Sequence, residues 1–319
     1  MHAKSDLSKS DAPPQLAWDI ATCATRGQNE LLWGDYHFAR DLSEALERQG
    51  QVGRVLRRGD EESDNADVVV HLRGTSPLQP RTNAQNILWI ISHPNDVSRN
   101  EVFDRYDKVY AASSRWAGEM SRRWSTTILP LQQAADASRF HPVDDEEPHR
   151  ANGRLLFVGN CRANGRKIVQ DCLTLGERPL VYGANWEGII PSELIGDRYL
   201  PNEDLPRAYR QARIVLNDHW EDMRLGGFVS NRIFEAASVG AAIISDEIEG
   251  LSDLFGPLVR TYDSLGSLQT ALETPWINNE TRAKIATKIR SSHSFDQRAR
   301  RLIADALGKS SHSPGGGKE

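Results

Sequence analysis

The residues best placed to do chemistry lie in the stretch Val229-Ser-Asn-Arg-Ile-Phe-Glu-Ala-Ala-Ser-Val-Gly240. Ser230 can cap a helix and Gly240 can end one. Ile233, Phe234, Ala236, Ala237 and Val239 give that helix a core face, while Arg232 and Glu235, three positions apart, share a face near its start. The dipole and unpaired amides of a helix start favour an anion such as a phosphate. A carboxylate at Glu235 can accept two hydroxyl hydrogen bonds at once, which suits the 2′,3′-diol of a ribose. On spacing alone, an Arg–Glu surface pair fits equally well.

Other candidates follow strand-like runs. His93, in Ser92-His-Pro-Asn95, could polarise a hydroxyl or could simply pack against Pro94. Gly34 and Asp35 open a helix after the first strand-like run, where Asp35 could contact an acceptor, and His71, closing Asp67-Val-Val-Val-His71, extends the same argument. Trp186 and Trp220 could stack on a base or sugar, with core packing the plainer reading. The run Arg115-Trp-Ala-Gly-Glu-Met-Ser-Arg-Arg-Trp124 reads as an amphipathic core helix with a charged outer face, or as a helix touching lipid or an acidic acceptor. Asp144-Asp-Glu-Glu147 reads as a solvated acidic run. HExxH, EF-hand, Cys/His ligand, GxSxG and P-loop patterns are all missing, so no metal is expected.

These residues need elements to hold them. Strand-like runs at 16–22, 67–71, 87–91, 108–112 and 126–129 alternate with helical patterns at 34–50 and 114–124. In the first helical pattern Phe38, Leu42, Ala45 and Leu46 recur at i, i+4, i+7 and i+8, and Gly50 marks its stop. The alternation restarts with strands at 155–158, 180–182, 214–217 and 241–245 and helices at 166–175, 204–212 and 230–239. Two successive βαβ series predict two parallel, doubly wound, Rossmann-like sheets in an α/β protein, with ligands beyond the carboxyl ends of the strands.

The chain then divides into a disordered head (1–15), an N-terminal domain (16–141), a charged, proline-containing linker (142–153), a C-terminal domain (154–292), a last helix (293–308) packing back on the N-terminal domain, and a disordered tail (309–319). A length of 319 residues suits two such domains, and 39% apolar with 26% charged residues is a globular composition. A net charge of −5 argues against nucleic acid as the partner. No run approaches a spanning helix, the start lacks a signal-peptide core, and Cys23, Cys161 and Cys172 form no CxxC. A cytoplasmic protein with free thiols is expected.

The stretch around Arg232 and Glu235, continuing through Asp246-Glu-Ile-Glu-Gly-Leu251, resembles the donor-binding segment of family-4-like glycosyltransferases with the GT-B fold, closest to the branch related to CgeB spore-maturation proteins. Phe157-Val-Gly-Asn160, Val181-Tyr-Gly-Ala-Asn-Trp186, Leu205-Pro-Arg-Ala-Tyr209, Ile214-Val-Leu-Asn217 and His293-Ser-Phe-Asp-Gln-Arg298 are similar to further elements of that branch, from about 155 to 305. The resemblance implies two domains facing across a cleft, the N-terminal one on the acceptor side. It places Glu235 on the donor ribose, with Arg232 and Asn217 in the donor set. Gly250 and Leu251 would lie in a loop passing the nucleotide. The turn at Gly159 and Asn160 would face the diphosphate, with Arg162, Arg166 or Lys167 as its clamp. Many relatives carry a second Glu eight positions before the helix Glu; here that position is Gly227. Asp218, His219, Asp222 and Arg224 are nearby polar candidates.

The activity so implied is transfer of a sugar from a nucleotide-sugar (UDP- or GDP-linked) to a glycan, lipid-linked or protein acceptor, with retention. It would need no metal and no cofactor beyond the nucleotide-sugar co-substrate, and peripheral membrane contact is compatible with it. The alternatives are a non-catalytic nucleotide-sugar-binding scaffold, which Gly227 keeps open, and an epimerase or hydrolase on the same fold.

Overall fold

A computed structural model describes residues 13–27, 30–61, 65–143, 147–162 and 165–308. The first six strands are β1 (Ala17–Thr25), β2 (Val52–Arg58), β3 (Val68–Arg73), β4 (Gln85–Ile90), β5 (Lys108–Ala111) and β6 (Leu129–Pro130). They form one sheet in the order β2-β1-β3-β4-β5-β6, every pair parallel. The next six are β7 (Leu155–Val158), β8 (Leu180–Tyr182), β9 (Ile195–Asp197), β10 (Ile214–Asn217), β11 (Ile243–Asp246) and β12 (Val259–Tyr262). Their sheet, also parallel throughout, runs β12-β11-β10-β7-β8-β9.

The unbroken apolar runs at β3, β4 and β10 are almost wholly buried, as strands covered by helices on both faces must be. The helices are α1 (Gly34–Arg48), α2 (Arg99–Val102), α3 (Ser114–Trp124), α4 (Lys167–Thr174), α5 (Leu205–Gln211), α6 (Glu221–Gly226), α7 (Asn231–Ser238), α8 (Leu251–Phe255), α9 (Leu265–Glu273), α10 (Asn279–Ser292) and α11 (Phe295–Ala306). The two doubly wound sheets expected from the sequence are therefore present. The sequence pattern did not reveal β2, an edge strand that mixes three arginines with its apolar residues without a regular alternation, nor the short strands β9 and β12. The strand expected at 126–129 starts only at Leu129. The acidic residues 144–146 and the terminal stretches 1–12 and 309–319 lie outside the described residues, and no helix among those described is long and apolar enough to cross a membrane.

Strand order reverses between β1 and β3 in one sheet and between β7 and β10 in the other, which is where parallel sheets open a crevice at their carboxyl ends. Two sets of contacts aim these crevices at each other. The chain leaves the N-terminal domain after β6 and returns at α11, and the two crossings are hydrogen-bonded: Ala135 N–H donates to His293 O at 3.1 Å and Phe295 N–H to Ala135 O at 3.0 Å. The Arg298 guanidinium donates to the carbonyls of Gln132 (2.7 Å) and Gln133 (2.9 Å), and burial lowers its pKa to about 10. Helix α11 then packs on α1, with Phe295 edge-on to Phe38 at 4.7 Å.

The second set joins the end of α6 to the N-terminal domain. Ser113 Oγ–H donates to Gly226 O at 2.6 Å, and Met223 and Phe228 enter the same apolar cluster as Trp116. Helix α3 is accordingly a core helix, its Trp116 packed edge-on against Trp124 and Phe228.

Candidate functional site

Between the domains lies a cleft of about 740 Å³, lined by the loops that follow β1, β3, β4, β7, β8 and β10. On the C-terminal side its wall begins with two loops stitched together. Gly159 N–H donates to Tyr182 O at 2.7 Å, Ala184 N–H to Asn160 Oδ1 at 2.9 Å, and the fully buried Trp186 Nε1–H to Gly159 O at 2.8 Å. Asn160 and Trp186 thus hold the wall in shape, and Trp186 packs in the core against Phe157 rather than on a ligand. At Gly159 a Cβ would sit 2.7 Å from Arg232 Nη2, so the absence of a side chain is what admits the guanidinium.

Three guanidinium groups converge here. Arg232 Nη1–H donates to Asn217 Oδ1 at 2.7 Å, and Asn217 in turn donates to Ser245 Oγ at 3.0 Å. Arg162 donates to His219 O at 2.8 Å and lies 3.9 Å over the Trp220 ring. Arg166 is buried, donates to Asp218 Oδ1 at 2.5 Å and to Asp218 O at 2.9 Å, and burial lowers its pKa to about 10 despite that carboxylate. Burial, with repulsion from Arg232, also lowers that of Arg162. Among the described residues Arg166 has a carboxylate partner while Arg162 and Arg232 form no ion pair, so two cations here remain available to an anion.

The first turn of α7 closes this wall, and its orientation is set by a buried histidine. Ser230 N–H must donate, so His219 Nε2, 3.0 Å away, is the acceptor. The proton therefore sits on Nδ1 and is donated to Asp246 Oδ1 at 2.6 Å, while His219 N–H donates to Asp246 Oδ2 at 3.1 Å. Burial works to raise the Asp246 pKa, but these bonds outweigh it and hold it below the usual carboxylate range. One turn along α7, Glu235 lines the cleft half-buried and accepts from Asn231 Nδ2–H at 2.8 Å. Burial raises its pKa against the opposing pull of Arg139 and Arg232.

The N-terminal wall is different in kind. Asp35 lines it, accepts a hydrogen bond from Thr22 Oγ1 at 2.8 Å, and has its pKa raised by burial. His93 lines it in a left-handed conformation (φ 52°), hydrogen-bonded to Ser92 Oγ at 2.9 Å, with its ring 5.6 Å from that of Trp220 across the cleft. Asn185, on the opposite wall, is also left-handed (φ 67°), and such strained backbone clusters at binding sites. Leu31, Leu32 and Trp33 complete the wall.

The cleft therefore brings together Asp35, His93, Gly159, Asn160, Arg162, Arg166, Arg232 and Glu235, with Asn217 directly behind Arg232. Asp218, His219 and Trp220 line it as well, whereas Lys167, Asp222, Arg224, Gly250 and Leu251 do not. Lys167 points to a neighbouring hollow, where it pairs with Asp171; Leu251 is in the core and Gly250 caps α8 outside the cleft. His71 lies within β3, not at its end; it is buried and donates from Nε2 to Asn86 Oδ1 at 2.9 Å, and burial lowers its pKa to about 4. Gly227 caps α6 at φ 74°, and a Cβ there would lie 3.1 Å from Ser113 Oγ. Sequence reasoning missed Leu31–Trp33 and the buried Tyr209 beside Glu235; the only signal for the former was three apolar residues just before a helix start.

Residues 162–304 match the family model described as glycosyl transferase-like. No curated protein matches the sequence. Among solved structures, the chain is similar to AviGT4, a glycosyltransferase involved in avilamycin A biosynthesis (14% identity, TM-score 0.60, 92% of this chain and 97% of that one). It is also similar to the T4 phage protein BGT in complex with its UDP-glucose substrate (9%, 0.55, 92% and 99%) and to a Listeria monocytogenes protein assigned as a UDP-N-acetylglucosamine 2-epimerase (11%, 0.51, 93% and 98%). The fold is that of the GT-B glycosyltransferase structures, two Rossmann-like domains facing across a cleft. Family match and fold together support a transferase enzyme.

Proposed function

We propose that the protein transfers a sugar from a nucleotide-sugar, UDP- or GDP-linked, to an acceptor hydroxyl in the interdomain cleft. The observation that carries this is the convergence of Glu235 with the unpaired cations Arg162 and Arg232 at the carboxyl ends of β7 and β10. Glu235 accepts from the ribose diol. Arg162 and Arg232, with the first-turn amides of α7, offset the charge of the departing diphosphate. That electrostatic complement is why no metal is needed. The described carboxylate cluster close enough to hold a cation, Asp41, Glu44 and Asp136, lies outside the cleft lining and is paired with Arg48 and Arg139. The placement near the CgeB-like branch, and action in the cytoplasm, belong to this proposal.

In the reaction the acceptor oxygen bonds to the anomeric carbon, the bond from that carbon to the diphosphate breaks, and the electron pair leaves with the nucleotide. With retention, as the family resemblance implies, the acceptor proton ends on the departing diphosphate and Asp35 orients the hydroxyl. The buried Asp35, its pKa raised, favours a second outcome, in which it takes that proton itself and the configuration inverts. NMR of the product's anomeric centre separates the two.

The test is calorimetric binding of UDP, GDP, ADP, CDP and dTDP without metal, followed by turnover with and without acceptor. Micromolar binding of one nucleotide and acceptor-dependent transfer are expected; binding of none would sink the donor reading. Turnover of donor alone would favour an epimerase or hydrolase, a reading the Listeria neighbour's fold keeps in play. One T4 phage BGT structure holds UDP and Mn²⁺, so chelation is informative: EDTA should leave activity intact here, and abolition with rescue by a divalent ion would overturn the metal-free mechanism.

A further inference from the structure

The two walls of the cleft carry opposite kinds of chemistry, and that difference constrains the acceptor. The C-terminal wall holds Arg162, Arg166, Arg198 and Arg232. On the N-terminal wall, among the described residues, the charged side chain is the carboxylate of Asp35, with no lysine or arginine beside it. An acceptor bearing phosphate or carboxylate would there face like charge with nothing to offset it. The wall instead presents Leu31, 49% exposed, with Leu32 and Trp33 half-buried, and the 43% exposed Trp220 lines the same cleft from the C-terminal side. Large apolar side chains left in solvent inside a concave site are the usual lining of a small-molecule pocket.

This shelf is anchored. His37, on the first turn of α1, hydrogen-bonds from Nε2 to Leu31 O at 3.0 Å, tying the turn to the helix that carries Asp35. Gly74 lies beside Asp35 Oδ2, and a Cβ there would come into van der Waals contact with it at 3.5 Å.

We propose, resting on the transferase reading above, that the acceptor is an uncharged, largely apolar alcohol of aromatic or alicyclic type, lying on Leu31, Leu32 and Trp33 with its hydroxyl at Asp35. Burial of the ring against the shelf supplies affinity, and the hydrogen bond to Asp35 selects the reacting oxygen. A sugar phosphate or a nucleic acid finds no cation on this wall.

The test is a calorimetric titration at pH 7 with 2-naphthol and its anionic counterpart 2-naphthyl phosphate, with and without saturating nucleoside diphosphate. Saturable binding of 2-naphthol is expected, at least tenfold tighter than that of the phosphate once the nucleotide covers the arginines. Leu31→Asp should weaken 2-naphthol at least fivefold, and Trp33→Ala similarly, while Tm and nucleotide affinity stay within error of the parent protein. No saturable 2-naphthol binding, equal affinity for the phosphate in the presence of nucleotide, or an unchanged 2-naphthol affinity in Leu31→Asp would each overturn the proposal. Because the 2-naphthol arm is also read without nucleotide, failure of the donor reading shows separately, as loss of nucleotide binding alone.

Discussion

On the C-terminal wall of the cleft two of the guanidinium groups are held by neutral partners, and the N-terminal wall is built from apolar residues around one carboxylate. Arg232 is aimed by Asn217, and Arg162 by a carbonyl and a tryptophan ring, so each keeps its charge free while losing its freedom to move. Asp35 is held by a threonine hydroxyl and raised in pKa by burial. The contrast teaches that one fold, used twice, presents unpaired guanidinium groups on one side of the cleft and apolar residues around a carboxylate on the other. The difference comes from the residues at the strand ends, not from the sheets.

The sharpest way to break this comparison is to remove the group proposed to hold the ribose. Glu235→Ala should weaken nucleotide binding by about 1.5–3 kcal/mol, the scale of hydrogen bonds to a charged acceptor, or roughly 10- to 150-fold. Unchanged affinity in a folded variant would remove Glu235 from the donor site. On the other wall, Asp35→Asn keeps the shape and removes the carboxylate. If Asp35 orients the hydroxyl, kcat/KM should fall about 10- to 100-fold with nucleotide affinity unchanged. A fall of about 10³ or more, with an inverted product, would make Asp35 the base and retention wrong.

The two walls were also unequally legible in the sequence. Helix α7 announced itself because its apolar residues recur with helical period between a capping serine and a stop glycine; spacing puts Arg232 and Glu235 on one face, and the resemblance, not the spacing, set them apart from a surface pair. The role of His219 is invisible at that level, since it depends on an amide eleven residues away that only the fold brings to Nε2. Arg166 and Lys167 are neighbours in sequence, yet one is buried against Asp218 and the other faces outward. Adjacent positions at a helix start point about 100° apart, and no composition argument chooses between them. On the N-terminal wall, Leu31–Trp33 is too short to show any period. The lesson of Gly227 is of another kind. Its identity departs from the resembling family, and the reason is geometric: the position is a left-handed helix cap pressed against Ser113 of the opposite domain.

That contact gives a smaller test. Gly227→Ala should cost about 1–2 kcal/mol, because an L side chain disfavours the left-handed region and the new Cβ crowds Ser113. A drop of a few degrees in Tm with little change in nucleotide affinity is expected. Gly227→Glu should not tighten binding of a nucleotide-sugar over that of its nucleotide. If it did, the position would be a sugar contact after all, and the donor would lie closer to the N-terminal wall than the walls' chemistry indicates.

The smallest effect concerns acid. Just as the N-terminal wall avoids charge, the sheet beneath it and the crossing beside it bury uncharged histidines. Burial lowers His71 to about 4, and burial with the nearby Arg298 does the same to His293. His71 donates from Nε2 to Asn86, which leaves Nδ1 without a partner, so a second proton taken up at Nδ1 would find no acceptor there. In the unfolded chain both rings take a proton near their ordinary value of about 6.5. At these two rings, between that value and about 4, the unfolded state binds more protons than the folded one, so their contribution to stability falls as pH falls through this window. Thermal unfolding followed from pH 7 to 4 should show that decline, and His71→Leu should flatten part of it. A slope unchanged in the folded variant would mean that His71 is already charged in the native protein. The N-terminal sheet would then bury a cation with no carboxylate beside it among the described residues, unlike the buried Arg73, whose charge Glu101 offsets.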